Sequence, residues 1–153
     1  MDMTIKTLPS MRLAAVLHRG PYQQIGAAFQ KLGEIAGSAG LFARTTGHMM
    51  GIYRDDPRTV PAEELRSAAA IPISEAEALP AGLVEERIDG GRFACFLHVG
   101  PYQGLPAAWA EAVGTFLSSG HRRRMGSSLE FYLNNPTQVS PAELQTEIAI
   151  PME

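Results

Sequence analysis

Over residues 12–18 apolar and small or polar positions alternate, so that Leu13, Ala15 and Leu17 fall on one face of a strand and Ala14, Val16 and His18 on the other. Gly20-Pro21 ends that strand, because glycine tolerates the turn and proline presets φ and lacks a donor, which suits a chain entering a helix. The period then lengthens: Ile25, Phe29, Leu32 and Ala36 recur at helical spacing over residues 22–38, Ala28 and Ile35 widen the stripe, and Gly37 and Gly40 close it. Residues 47–53 and 66–73 read as further strands. Between them lie the turn-forming Arg54-Asp55-Asp56-Pro57 and one helical turn at Pro61-Ala62-Glu63-Glu64-Leu65. A short, weakly alternating segment at residues 3–7 precedes the whole, closed by Leu8-Pro9-Ser10.

The same pattern then returns. Leu17-His18-Arg19-Gly20-Pro21-Tyr22-Gln23 reappears as Leu97-His98-Val99-Gly100-Pro101-Tyr102-Gln103, with His18 matched to His98 and Tyr22 to Tyr102 by one constant offset. Tyr53 through Pro57 and Ala70 through Ile73 reappear as well, with Pro57 matched to Pro136 and Pro72 to Pro151, at an offset shorter by one. So small a drift between two matched blocks is what a tandem duplication with one loop deletion leaves behind. The second copy supplies a helix over residues 105–118, with Leu105, Trp109, Ala112, Val113, Phe116 and Leu117 at helical spacing and Pro106 tolerable in its first turn. Strands follow at residues 128–133 and 144–150, and Asp89-Gly90-Gly91 predicts a hairpin joining residues 83–88 to 92–98. The expected fold class is α+β: a tandem strand-helix-strand-strand unit, with antiparallel sheets and one main helix each. It forms a single domain over 1–153, with repeats at about 1–74 and 82–153 and a connector at about 75–81.

Composition narrows the function classes. The chain is 45% hydrophobic and 19% charged with a formal net charge of −3, which argues against direct nucleic-acid binding. No apolar run approaches the roughly 18 residues of a membrane helix, and the N-terminal residues lack a signal-peptide layout, so the cytoplasm is the expected location. The single cysteine, Cys95, excludes an internal disulfide and sits in an apolar run as a buried thiol would. His121-Arg122-Arg123-Arg124 is the one concentrated positive run, either a solvated loop or a contact for an acidic partner. His18 and His98, at the two elbows, lack a nearby Cys or carboxylate in their motif and read as turn contacts rather than metal ligands. Neither metal nor cofactor is expected. Phosphate-loop, nucleophile-elbow and zinc-protease signatures are absent.

A candidate site emerges where the copies differ. In the last strand Gln145, Glu147 and Ala149 share one face, and Thr146, Ile148 and Ile150 share the other, expected to lie on the helix layer. Glu147 therefore points away from the main core. Its counterpart in the first copy, by the offset that relates Pro151 to Pro72, is Ala68. A carboxylate in mid-strand is disfavoured by propensity. It reads either as a solvent-facing residue or as the floor of a cleft that pairs with a cationic or hydrogen-bond-donating ligand. Tyr53 and Tyr132 are related by the repeat, as are Phe29 and Trp109. Such aromatics either belong to the core or, with the tyrosines flanking the carboxylate, form an aromatic cage.

The duplicated His-x-Gly-Pro-Tyr elbow, Gly51-Ile52-Tyr53-Arg54-Asp55-Asp56-Pro57 leading to Pro61-Ala62-Glu63-Glu64-Leu65-Arg66, the Gly90-Gly91-Arg92-Phe93-Ala94 strand entry, and Glu130-Phe131-Tyr132-Leu133-Asn134-Asn135 before Thr146-Glu147-Ile148-Ala149-Ile150-Pro151 carry a resemblance to the GyrI-like, or gyrase-inhibitor-like, small-molecule-binding family. The resemblance covers nearly the whole chain. It implies that the two units share a concave groove with an acidic residue near its centre, and it maps the family's glutamate onto Glu147 through Glu-Ile-x-Ile-Pro. With no room for a helix-turn-helix module, the chain resembles the stand-alone members. The leading function so implied is binding of an amphipathic, aromatic or cationic small molecule, with Glu147 as counter-charge and Tyr53, Tyr132, Trp109 and Phe96 as apolar walls. Two alternatives follow from the same resemblance. One is a protein-binding inhibitor of DNA gyrase; the other is a hydrolase of cyclopropane-bearing or similar electrophilic toxins, with Glu147 acting on water.

Overall fold

The computed structural model describes residues 1–153, the whole chain. Along it run β1 (Thr4–Leu8), β2 (Met11–Arg19), α1 (Gly26–Ser38), β3 (Met50–Tyr53), β4 (Arg66–Ile73), β5 (Val84–Ile88), β6 (Gly91–Val99), α2 (Leu105–Ser118), β7 (Ser128–Tyr132) and β8 (Gln145–Pro151). All the pairings described below are antiparallel, which with two main helices makes a mixed α+β architecture. The chain divides into two compact units, a first of residues 10–89 and a second of residues 1–9 with 90–153.

In the first unit the strand order is β3-β4-β2-β5. Register pairs Ala14 with Ile71 and Val16 with Ala69. Directly opposed residues share a face, and these four meet Ala28, Leu32 and Ala36 of α1 in one buried cluster. The small strand residues let the helix lie close. In the second unit the order is β1-β6-β8-β7. Phe96 opposes Ile148, Ala94 opposes Ile150, and these pack with Ala108, Ala112 and Phe116 of α2. The alternation in residues 12–18 and in the last strand thus sorts helix-facing from opposite-facing positions as the periodicity predicts.

Both elbows are built from the same parts. Gly20 (φ 125°) and Gly100 (φ 139°) take backbone conformations closed to L side chains, so each glycine is required where it stands. The Gly20 N–H donates to the Leu65 carbonyl and the Gly100 N–H to the Leu144 carbonyl, both at 2.8 Å. His18 Nε2 lies 3.1 Å from the Pro21 carbonyl oxygen, and His98 Nε2 lies 3.1 Å from that of Pro101. These are the turn contacts expected of the two histidines.

One expectation is overturned. β5 and β6 do not form a hairpin: β5 pairs with β2, with Met11 opposite Ile88 and Ala15 opposite Val84, while β6 takes β1, with Thr4 opposite Cys95 and Leu8 opposite Gly91. A two-residue hairpin needs positive φ at its first central residue. Neither Asp89 nor Gly90 has it, so the chain passes on into the second unit instead of turning back. Its pairing with β6 places β1, from the N-terminal end of the chain, in the second compact unit.

The loops before the closing strands carry an ionic difference between otherwise matching turns. In the first unit the Arg66 N–H donates to Asp55 Oδ2 at 2.7 Å and its guanidinium reaches Asp55 Oδ1 at 2.8 Å. In the second, the Gln145 N–H donates to Asn134 Oδ1 at 2.9 Å. The bonds from Arg66 hold the Asp55 carboxyl below its usual range. A carboxyl lowered by folding contributes stability that is present above its unfolded value and lost as pH falls through its folded one. Asp55→Asn keeps the acceptor and removes the charge. It is expected to cost about 1 kcal/mol or less at neutral pH, as exposed ion pairs do. Urea titrations should show that deficit closing as pH falls below the ordinary carboxylate range.

Candidate functional site

β7 places Glu130 and Tyr132 on one face. Glu130 opposes Ile148 and Tyr132 opposes Thr146, and Ile148 belongs to the cluster under α2, so both side chains look toward that helix. Trp109 comes down from α2 to meet them. Its Nε1–H donates to Glu130 Oε2 at 2.6 Å, and the Tyr132 hydroxyl donates to Glu130 Oε1 at 2.8 Å. Tyr102, in the turn after the second elbow, stands edge-to-face on Tyr132, with ring centroids 5.8 Å apart at 71°. Glu130 is 3% exposed. Taking a carboxylate out of water costs several kcal/mol, and the indole and phenol donors offset part of that. The Tyr102 phenol is pushed up by burial and, second, by the charge of Glu130.

Glu147 lies on the other side of the same sheet. It opposes Leu97 and Phe131, so the structure does not bring it together with Trp109 and Tyr132. Its Oε2 accepts a 2.6 Å bond from Lys6 Nζ, with side-chain exposures of 16% for Glu147 and 44% for Lys6. That bond is the main cause of the raised Lys6 pKa. Nothing in the sequence pattern points to this partner, which arrives on β1. Beside the pair is a cleft of about 480 Å³ whose lining includes Thr4, Leu97, Leu133 and Gln145. Cys95 lines it too, but is 2% exposed, and burial, with the Glu147 charge second, pushes its thiol up to about 12.

Of the expected walls, Trp109 and Tyr132 converge on a carboxylate, that of Glu130 rather than Glu147. Phe96 is 1% exposed and packs in the core beneath α2, and it also borders the cleft beside Glu147. Tyr53 belongs to the first unit, where it stacks edge-to-face on Tyr22 with centroids 5.0 Å apart and packs against the α1 core. Two side chains of the basic run, Arg123 and Arg124, are tied into their own unit. Arg123 donates to the Gly126 carbonyl and Ser128 Oγ, and Arg124 lies 5.0 Å over the Phe93 ring and bonds the carbonyls of Met152 and Arg92. No helix is long and apolar enough to cross a membrane.

Sequence reasoning did not single out Glu130 or Tyr102. A signal for Glu130 was present: the offset that matches Glu147 to Ala68 matches Glu130 to Gly51, an equally sharp break in the repeat. It is masked because Glu130 sits in an aromatic strand motif shared with the family, where it reads as part of the scaffold.

Solved structures share this fold. The C-terminal domain of EcmrR superposes with a TM-score of 0.78 at 16% identity, covering 99% of this chain and 97% of that one. SAV2435, solved bound to tetraphenylphosphonium, gives 0.73 at 15% identity, covering 100% and 94%. A hydrolase encoded by lin2189 from Listeria innocua gives 0.69 at 15% identity, covering 99% and 92%. At such identities the likeness speaks for the fold. The model of the GyrI-like small molecule binding domain matches residues 1–153, and the chain therefore belongs to the GyrI-like family of small-molecule-binding domains.

Proposed function

We propose that the protein binds amphipathic aromatic cations at a site centred on Glu130, with Trp109, Tyr132 and Tyr102 as its aromatic walls. The observation that carries this is the buried carboxylate itself, 3% exposed and framed by an indole and two phenol rings. A cation entering such a surround gains attraction from the carboxylate in a medium of low dielectric and from the ring faces. The phosphonium bound by SAV2435 is a ligand of that chemistry. Glu147 is read as the ion-pair partner of Lys6, and Phe96 as core. Tyr53 is retained as a candidate contact of the first unit. The two copies are read as a tandem duplication. In support, matched positions do matched work, as Asp55 and Asn134 do in accepting the N–H of Arg66 and of Gln145.

The test is titration calorimetry with tetraphenylphosphonium and with triphenylphosphine oxide, which offers similar phenyl rings without the charge. Saturable binding of the cation and at least about tenfold weaker binding of the neutral compound are expected. Equal affinities would remove the carboxylate from the account.

A further inference from the structure

Thr146 occupies the centre of a cross-strand row on the helix-facing side of the second unit, with His98 directly opposite on β6 and Tyr132 directly opposite on β7. Its residue exposure is 0% and its Oγ1 has no hydrogen-bond partner. The neighbours in the row are turned to other work: His98 Nε2 to the Pro101 carbonyl at 3.1 Å, and the Tyr132 hydroxyl to Glu130 at 2.8 Å. A buried hydroxyl without a partner lowers stability, and valine would fill the same space without that cost. Threonine at this position thus works against the fold unless something else takes its hydroxyl.

Ser67 holds the matching place in the first unit, between His18 and Tyr53, and its Oγ is likewise unpartnered. There the position matching Glu130 is Gly51, so that row has no carboxylate beside it to anchor a cation.

We infer that Thr146 is a specificity-determining contact of the Glu130 site, and that the ligand class is an aromatic cation carrying an N–H donor, such as an aromatic amine or amidinium, which the Thr146 hydroxyl accepts. This rests on the proposed cation site and deepens it. A site holding one polar group for the charge and a second for an N–H fixes orientation as well as affinity, because a ligand lacking the N–H leaves the hydroxyl unsatisfied. Tyr102 and Tyr132, stacked edge-to-face and more exposed than Glu130 and Thr146, stand on the outer side of this site, so ligand entry displaces their rings.

The experiment compares the parent, Thr146→Val and Thr146→Ser with two probes. Tetraphenylphosphonium has no hydrogen-bonding group, and ethidium carries two aromatic amines. Thr146→Val is expected to melt at or above the parent temperature, to keep tetraphenylphosphonium within about twofold, and to bind ethidium about five- to tenfold more weakly, the loss of one hydrogen bond. Thr146→Ser, which keeps the hydroxyl, is expected to retain ethidium even if the valine variant folds poorly. Unchanged ethidium binding by Thr146→Val, equal loss of both probes, loss of ethidium by Thr146→Ser, or a parent that takes tetraphenylphosphonium and refuses ethidium would each overturn the inference while leaving the cation site standing. A parent that binds neither probe would overturn the site and the inference together.

Discussion

Replacing Glu130 by glutamine is expected to weaken tetraphenylphosphonium binding by about 30- to 140-fold, because removing one partner of a buried charge pair costs about 2–3 kcal/mol and each 1.4 kcal/mol is tenfold. The fold should survive. Glutamine keeps a carbonyl oxygen that accepts from either Trp109 or Tyr132, and loss of a buried charge relieves its desolvation. The expected melting temperature is therefore close to the parent's. Glu147→Gln under the same conditions should leave affinity within about twofold and cost about 1 kcal/mol or less of stability, since its partner Lys6 is 44% exposed. The pair of variants separates the two carboxylates, which lie on opposite faces of one sheet. A Glu147→Gln protein that loses binding while Glu130→Gln keeps it would reverse the assignment.

The second large effect falls on stability. Phe96→Ala removes a ring that is 1% exposed and packed against Ala108, Ala112, Phe116 and Ile148, and is expected to cost about 3–5 kcal/mol through lost burial and the cavity left behind. For a chain of this length that lowers the melting temperature by roughly 10 °C or more. Phe96→Leu, which refills most of the space, should recover much of the stability and bind tetraphenylphosphonium within about twofold of the parent. If Phe96 were a wall of the ligand site, the leucine variant would lose affinity while remaining stable. Urea unfolding alongside calorimetry on both variants distinguishes these outcomes.

The period of the hydrophobic pattern made the elements legible, because strands and helices both bury one face here. The sorting of Ile148 and Ile150 from Glu147 and Ala149 could be read in advance from alternation alone. The pairing of β5 and β6 could not. Asp89-Gly90-Gly91 has the composition of a hairpin, but composition does not fix φ, and the two strands that take up the free edges lie far away in the chain. The residue types of the proposed site are legible in the sequence, and their facing is not. The repeat singles out Trp109 and Tyr132 together with Glu147, whereas the carboxylate those two rings bond is Glu130, on the opposite face of the sheet from Glu147. Alternation says which residues share a face. Which face the helix covers at β7 depends on register with β8, and Glu130, flanked by Leu129 and Phe131, offers no local sign that it faces inward. Lys6 was invisible as a partner for Glu147 for a related reason, since 141 residues separate them.

The proposed ligand site lies at Glu130, on the helix-facing side of the second unit. A crystal structure of the protein with tetraphenylphosphonium tests it most directly. The phosphonium centre is expected within about 6 Å of the aromatic faces of Trp109 and Tyr132, the reach of cation–π attraction, with the Glu130 carboxylate beside it and the Tyr102 ring displaced. Phosphonium density in the cleft beside Glu147 and Lys6, with the Trp109–Glu130–Tyr132 contacts undisturbed, would contradict it.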